Sequence, residues 1–477
     1  MIYDHFIPWT AQEIVAATGG ELLCGDIHRQ FAQVSIDSRE ISPGDVFVAI
    51  IGDVHDGHAF LEDVIHRGIC GVVINKDKAK EIKVSKWHDK KVIAIAVEDT
   101  TRALGDLAAF HRNRTDASVV AITGSNGKTT TRNLTAAVMS PRFNTLSTIG
   151  NYNNQIGLPL TLLRLQQGHT WAVVELGTNT PGEIARLAEI SSPEIGVITN
   201  IGPAHLEGLG SLDGVMREKG DLLKQLKSDG KAILNADDRR IIKLAEQTNK
   251  AVVLFGLSEN AMIRAEAVKE KTNGVSFTLV LPQKRVPVDL NISGQFMVSN
   301  ALAAAAVGTV VGLSAEQIKV GLENFSSAPG RMNYFQMPNG IHIIDDTYNA
   351  NPDSMKAALL TVKSLRADNR SILVAGDMLE LGKQSASLHN HIGALAATSG
   401  IRRIYVTGEF AEAVASGAHE SQMNGRDIFS GTKDEILADL KNYLKSGDWV
   451  LIKGSRGMTM EDIVNGLKEW AGVKPSA

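Results

Sequence analysis

Apolar residues gather in short continuous runs along the middle of the chain, at residues 118–122, 171–176, 195–200, 232–235 and 252–255. Such runs fit strands buried on both faces, and the stretches between them carry helical spacing. The alternation predicts a largely parallel sheet with helices on its faces. Residues 262–292 change pattern. Polar and apolar positions alternate there, as in Val275-Ser276-Phe277-Thr278-Leu279, which predicts appended antiparallel strands. An alanine-rich helix is predicted from Asn300 to Val311. Towards the N-terminus, apolar runs at 45–51 and 71–74 flank a helical stretch closed by Gly68. In the last third, runs at 341–345, 371–375, 403–407 and 449–453 repeat the alternation of strand and helix. The predicted fold is α/β in three domains. A small mixed unit spans 1–112, a central unit with a mostly parallel sheet spans 113–328, and a Rossmann-like unit spans 329–477.

Length agrees with this division, since 477 residues at roughly 150 per domain give about three domains. Hydrophobic residues at 43% and charged residues at 21% are ordinary for a soluble protein. A net charge of −4 gives no global bias towards nucleic acid or an anionic membrane. Cys24 and Cys70 are the only cysteines and support no disulfide framework. The start, Met1-Ile2-Tyr3-Asp4-His5, lacks the basic-then-apolar form of a leader. No uncharged apolar run approaches the roughly 18 residues of a membrane helix. A reducing cytoplasm is the expected compartment.

The polar stretch after the first central run changes the picture most. It reads Thr123-Gly124-Ser125-Asn126-Gly127-Lys128-Thr129-Thr130-Thr131. Strand, glycine turn, Lys-Thr and helix is the construction of a triphosphate cradle, with Ile122 standing where the general form has its first glycine. Glycines let N–H groups approach phosphate oxygens, and the helix N-terminus adds positive potential. Lys128 would reach the outer phosphates, and a Thr hydroxyl would hold Mg²⁺. The plainer reading is a glycine turn joining strand to helix.

Other candidates lie at predicted strand ends, where ligands bind in open α/β sheets. Glu175 is either a Mg²⁺ ligand or a solvated carboxylate. His205, after the run ending at Asn200, is either a ligand or a solvated loop histidine. Lys219 falls on an apolar stripe formed by Leu212, Val215, Met216, Leu222, Leu223 and Leu226. It either snorkels to water or enters a site with a depressed pKa. A neutral amine there can capture CO₂ as a carbamate, an anionic oxygen ligand suited to a second Mg²⁺ shared with His205. Asn300 reads adenine or caps its helix. Pro329-Gly330-Arg331 and the run from Asp345 to Pro352 form a candidate ligand loop, with Asp345 as turn residue and Asn351 as helix cap in the plainer reading.

Together these segments resemble the Mur ligase superfamily of ATP-dependent amide ligases along nearly the whole chain. The resemblance is carried by Asp37-Ser38-Arg39, Pro43–Ala49, Asp56-Gly57-His58, Thr123–Thr130, Gly150–Pro159, Glu175–Asn179, Asn200–Glu207, Asp345–Met355, Gly376–Gly382 and Lys453–Arg456. It implies that Gly124, Ser125, Asn126, Gly127, Lys128, Thr129 and Thr130 bind ATP phosphates. It implies one Mg²⁺ on Thr129 and Glu175, and a second on His205 and carbamylated Lys219. Asn300 is implied at the adenine, Arg331 near the γ-phosphate, and Asp346 with Asn349 at the nucleotide. Ser38 and Arg39, with Asn151, Asn153 and Asn154, are implied on the side of a UDP-linked substrate. His205 or Glu207 is implied in deprotonating the acceptor amine.

The segments Tyr348–Pro352 and Asp377–Gly382 point, within the family, to joining D-Ala-D-Ala to UDP-MurNAc-tripeptide through an acyl phosphate. A monomer that binds no nucleic acid and does not insert into membranes is implied. Phe296 and Met297 stand where the family pattern has His and Asn, Thr180 replaces a His, and Glu218 precedes Lys219 where Ala is common. Two competing expectations are a folylpolyglutamate synthase of the same architecture and a P-loop switch that hydrolyses ATP without a ligated product.

Overall fold

The computed structural model describes residues 7–52, 54–82, 84–87, 91–271 and 274–473. The leader reading at Met1–His5 lies outside them. A nine-stranded sheet forms the middle of the molecule. Its strand Ser118–Thr123 lies between Trp171–Glu175 and Ile195–Ile198, all three parallel. Val120 and Ile122 face one apolar cluster and Val119 and Ala121 another, so both faces are covered. That two-sided burial is why the run carries no polar alternation. The parallel order continues through Lys231–Asn235, Ala251–Gly256 and Ile263–Lys271. Strands Gly274–Val280 and Arg285–Leu290 then extend the sheet antiparallel, as their alternation predicts.

A five-stranded sheet precedes this one, in the order Glu21–Cys24, Ile93–Val97, Gly71–Asn75, Val46–Val48 and Val34–Ser35. The helix predicted before Gly68 is Leu61–His66. A six-stranded sheet follows, in the order Asn333–Gln336, His342–Asp346, Trp449–Lys453, Ser371–Ala375, Arg403–Val406 and Ile428–Ser430, parallel except for its first pair. Among the described residues no helix is long and apolar enough to cross a membrane.

One helix departs from expectation. It begins at Phe296 rather than Asn300 and runs to Val310. Gly294, with φ of 112°, breaks the chain just before it, and the apolar Met297 and Val298 are buried in its first turn. Asn300 is therefore inside the helix, and the capping alternative is excluded.

Candidate active site

Register fixes the site. Glu175 pairs with Ile122, and Ile198 with Thr123, so the chain leaves three neighbouring parallel strands at one edge. Helix Lys128–Met139 starts directly after the glycine loop, at Gly127 with φ of 79° and no side-chain cap. Its first N–H groups therefore point into the loop without the usual Ser or Asp partner, the arrangement that receives anions. Glycine is required by space as well. A Cβ on Gly124 would lie 1.8 Å from Thr199 Oγ1, and one on Gly127 would lie 2.2 Å from Asn300 Oδ1.

The loop is braced from behind. Asn126 N–H donates to Asn200 Oδ1 at 2.8 Å, and Thr199 Oγ1 and Asn200 Nδ2 donate to the Asn126 carbonyl. Ser125 and Gly202 exchange hydrogen bonds at 2.9 Å. Asn300, buried, accepts from Thr131 Oγ1 at 3.3 Å and donates to Met297 Sδ, so its amide supports the loop. Lys128 Nζ donates to the Gly124 carbonyl at 2.8 Å. Burial holds its pKa below the ordinary lysine value, opposed by Glu175 and reinforced by Arg331.

Glu175 is 2% exposed, which excludes the solvated-carboxylate reading. Asn153 Nδ2 donates to its Oε1 at 2.8 Å. Oε2 is buried without a hydrogen-bond partner, and Arg132 Nη1 stands 3.5 Å away. Lys219, on helix Leu212–Lys224, is 0% exposed and its Nζ has no hydrogen-bond partner among the described residues. Snorkelling is thereby excluded. Burial, with the nearby positive Lys128, pulls its pKa well below the ordinary lysine value. The neighbouring Glu218 does not neutralise it by hydrogen bonding. That carboxylate is occupied by the N–H groups of Gly182 and Ile184 and by the Thr178 hydroxyl. Glu218 thus caps helix Glu183–Ser191, which begins at Gly182 without a cap of its own.

The third domain reaches this edge through several contacts. Arg331 Nη2 donates to Thr129 Oγ1 at 2.9 Å, and its guanidinium lies 3.9 Å over the Tyr348 ring. Asn351 caps helix Pro352–Leu365, as its plainer reading held, and also donates to Asn126 Oδ1 at 2.7 Å. Asp345 accepts from the Thr347 hydroxyl, and burial raises its pKa. His205 Nδ1 lies 2.6 Å from Glu380 Oε2.

Several predicted residues serve nearby structure. Asp346 pairs with Lys453 and accepts from Met332 N–H, while the Asn349 carbonyl accepts from Lys453. Asn154 Oδ1 accepts from the N–H groups of Ile156 and Gly157, where the chain enters helix Gly157–Leu162. Asn151 is exposed, and its carbonyl accepts from Asn153 N–H. Arg39 pairs with Asp37 on the first domain, and the Ser38 carbonyl accepts from Arg67.

Arg132, Glu380 and Lys453 are given no role by the sequence, although Glu380 and Lys453 lie in segments that carry the resemblance and Lys453 closes the apolar run at 449–453. Arg132 is held by the adjacent Asn133 and by the Gly150 carbonyl, and it reaches Glu175 only through the fold, as Glu380 reaches His205.

Family comparisons match three successive parts of the chain. Residues 30–112 match the Mur ligase family catalytic domain, 122–308 the Mur ligase middle domain, and 330–456 the Mur ligase glutamate ligase domain. UDP-N-acetylmuramoyl-tripeptide--D-alanyl-D-alanine ligase of Escherichia coli (strain K12) is 36% identical over 465 residues, covering 96% of this chain and 98% of the relative. MurF from Acinetobacter baumannii superposes with a TM-score of 0.89 at 33% identity, over 97% of this chain and 99% of that one. MurF ligase from Thermotoga maritima in complex with ADP superposes with a TM-score of 0.82 at 26% identity, over 92% and 98%. Matched by three successive family domains and by relatives along nearly its full length, the chain belongs to the Mur ligase family.

Proposed function

We propose that this protein joins D-Ala-D-Ala to UDP-MurNAc-tripeptide with hydrolysis of ATP to ADP and phosphate, a step of peptidoglycan precursor synthesis. The observation that carries the reading is the uncapped, glycine-walled helix start at Gly127 beside a buried carboxylate and a buried, unpartnered lysine. In this reading residues 1–112 hold the uridine end, 113–328 bind ATP, and 329–477 close on ATP and receive the acceptor. A monomer working in the cytoplasm fits it.

The substrate carboxylate must approach the γ-phosphate, and both are anionic. At about 4 Å and an effective dielectric of about 20, each unit-charge pair repels by about 4 kcal/mol. Lys128, Arg331 and the loop N–H groups would offset that repulsion from places already at the loop, with Lys128 exchanging the Gly124 carbonyl and Arg331 the Thr129 hydroxyl for phosphate oxygens. Mg²⁺ would supply further charge neutralisation when bound. Its fit rests on the orphaned Oε2 of Glu175 for one ion, which the Thr129 hydroxyl would join once released from Arg331. A second ion requires Lys219 in anionic form. Its unpartnered, neutralised amine is the form that captures CO₂, and the carbamate would provide oxygen ligands to an ion shared with His205. Among the described residues no group of three His, Cys, Asp or Glu side chains is arranged to hold a metal, so both proposed sites depend on other ligands. Closure of the third domain would keep water from the acyl phosphate until the D-Ala-D-Ala amine arrives. His205 or Glu207 would receive the proton of that amine.

Phosphate release with UDP-MurNAc-tripeptide, with and without D-Ala-D-Ala, tests the proposal together with the mass of the product. Acceptor-dependent release and a ligated pentapeptide product are expected. ATP hydrolysis without a ligated product would favour a switch, and turnover requiring folate and glutamate would favour a folylpolyglutamate synthase.

A further inference from the structure

His205 and Glu380 face each other from different domains, and both have left-handed backbones without being glycine, with φ of 54° and 62°. That conformation is unfavourable for a residue with a Cβ and persists where its surroundings hold it. Here the two strained residues hold each other. Glu380 Oε2 lies 2.6 Å from His205 Nδ1, and the Glu380 carbonyl accepts the Glu207 N–H at 3.2 Å. Gly382 comes so close to Glu207 that a Cβ there would lie 3.2 Å from the Glu207 Cα. The contact with His205 also keeps the Glu380 carboxyl below the usual carboxylate range.

We propose that Glu380 is a positioning residue, which fixes the His205 ring from the third domain and so couples domain closure to assembly of the site. With Nδ1 turned to Glu380, only Nε2 of His205 is left to face other groups. The pair is partly exposed, at 19% for the His205 side chain and 49% for Glu380, so it can break and re-form in solvent. That suits a latch better than a permanent core contact. This inference rests on the ligase reading, which gives His205 its place at the reacting groups.

The test uses the full-length Glu380→Ala, Glu380→Gln and Glu380→Asp variants. Fluorescence energy transfer between labels on the central and third domains, at saturating non-hydrolysable ATP, reads closure without turnover. The ratio of closed to open molecules is expected to fall about fivefold in Glu380→Ala, the scale of one partly exposed polar pair between side chains. The fall should be smaller in Glu380→Gln, whose amide oxygen keeps a polar contact with Nδ1 without the charge, and smallest in Glu380→Asp. The kcat for phosphate release should follow the same order, with KM for ATP changed by less than about threefold, since a latch acts on the closed state rather than on ATP binding. Wild-type closure and kcat in Glu380→Ala would overturn the proposal, as would equal losses in all three variants. Failure of the wild type to form a ligated product would instead overturn the ligase reading, and the closure measurement would still decide the latch.

Discussion

Lys453 and Lys219 are both buried lysines, and their surroundings are opposite. Lys453 is 2% exposed, pairs with Asp346 and donates to the Asn349 carbonyl at 2.8 Å. Lys219 is fully buried and donates to no group among the described residues. The first lysine ties a strand end to the loop after His342–Asp346, so its charge is compensated where it stands. The second has only the through-space field of Glu218, whose carboxylate is committed to a helix start. Burial of a lysine is therefore not in itself a mark of chemistry. An unpartnered buried amine is one, because the charged form is penalised and the group must be neutral or modified.

The contrast predicts different consequences of removing each amine. Lys453→Met leaves Asp346 mostly buried without its counter-charge. A loss of about 3–5 kcal/mol is expected, the usual result of breaking a buried pair. Calorimetry of the intact protein should show it as an earlier transition of the third domain. A melting profile like the wild type would mean that Lys453 is not a structural tie. Lys219→Ala should act on turnover instead. Phosphate release is expected to fall about a hundredfold to a thousandfold, the scale of losing one preorganised charged group at a reacting centre. Added short carboxylic acids should restore part of it by occupying the carbamate's place. Near-normal turnover at saturating substrate would remove Lys219 from the chemistry.

The smallest effect is on stability against pH. The folded Lys219 amine has a depressed pKa, whereas the unfolded chain has one near 10.4. Between those two values the unfolded state binds a proton that the folded state does not. Stability in CO₂-depleted buffer should therefore rise with pH across that window and level off above about 10.4. Lys219→Met removes the titrating group. It should be more stable than the wild type at neutral pH and should lack this rise. Parallel stability curves for the two proteins would contradict the unpartnered state of Lys219.

Much of the architecture was legible from apolar patterning. Runs such as 118–122 and 449–453 are strands because both of their faces are covered, and the alternation at 262–292 became an antiparallel ladder. The glycine loop was legible because its chemistry is local, a turn followed at once by a helix start. Lys219 was visible as a charge on an apolar stripe, but only the fold decided between snorkelling and burial. Asn300 was placed at a helix start because sequence alone did not reveal that Gly294 lets the helix begin at Phe296. Glu380 stood out only as part of the segment Asp377–Gly382, and its role was not legible there, since it comes from a contact with His205 across 175 residues of chain (380 minus 205). Interdomain partners of this kind follow from tertiary placement and have no period in the sequence.

The unpartnered amine of Lys219 can be tested directly by equilibrating the protein with isotopically labelled bicarbonate and recording its carbon magnetic resonance spectrum. A carbamate carbonyl signal is expected in the wild type, absent from Lys219→Met. No such signal in the wild type, or the same signal in Lys219→Met, would contradict the role assigned to this lysine.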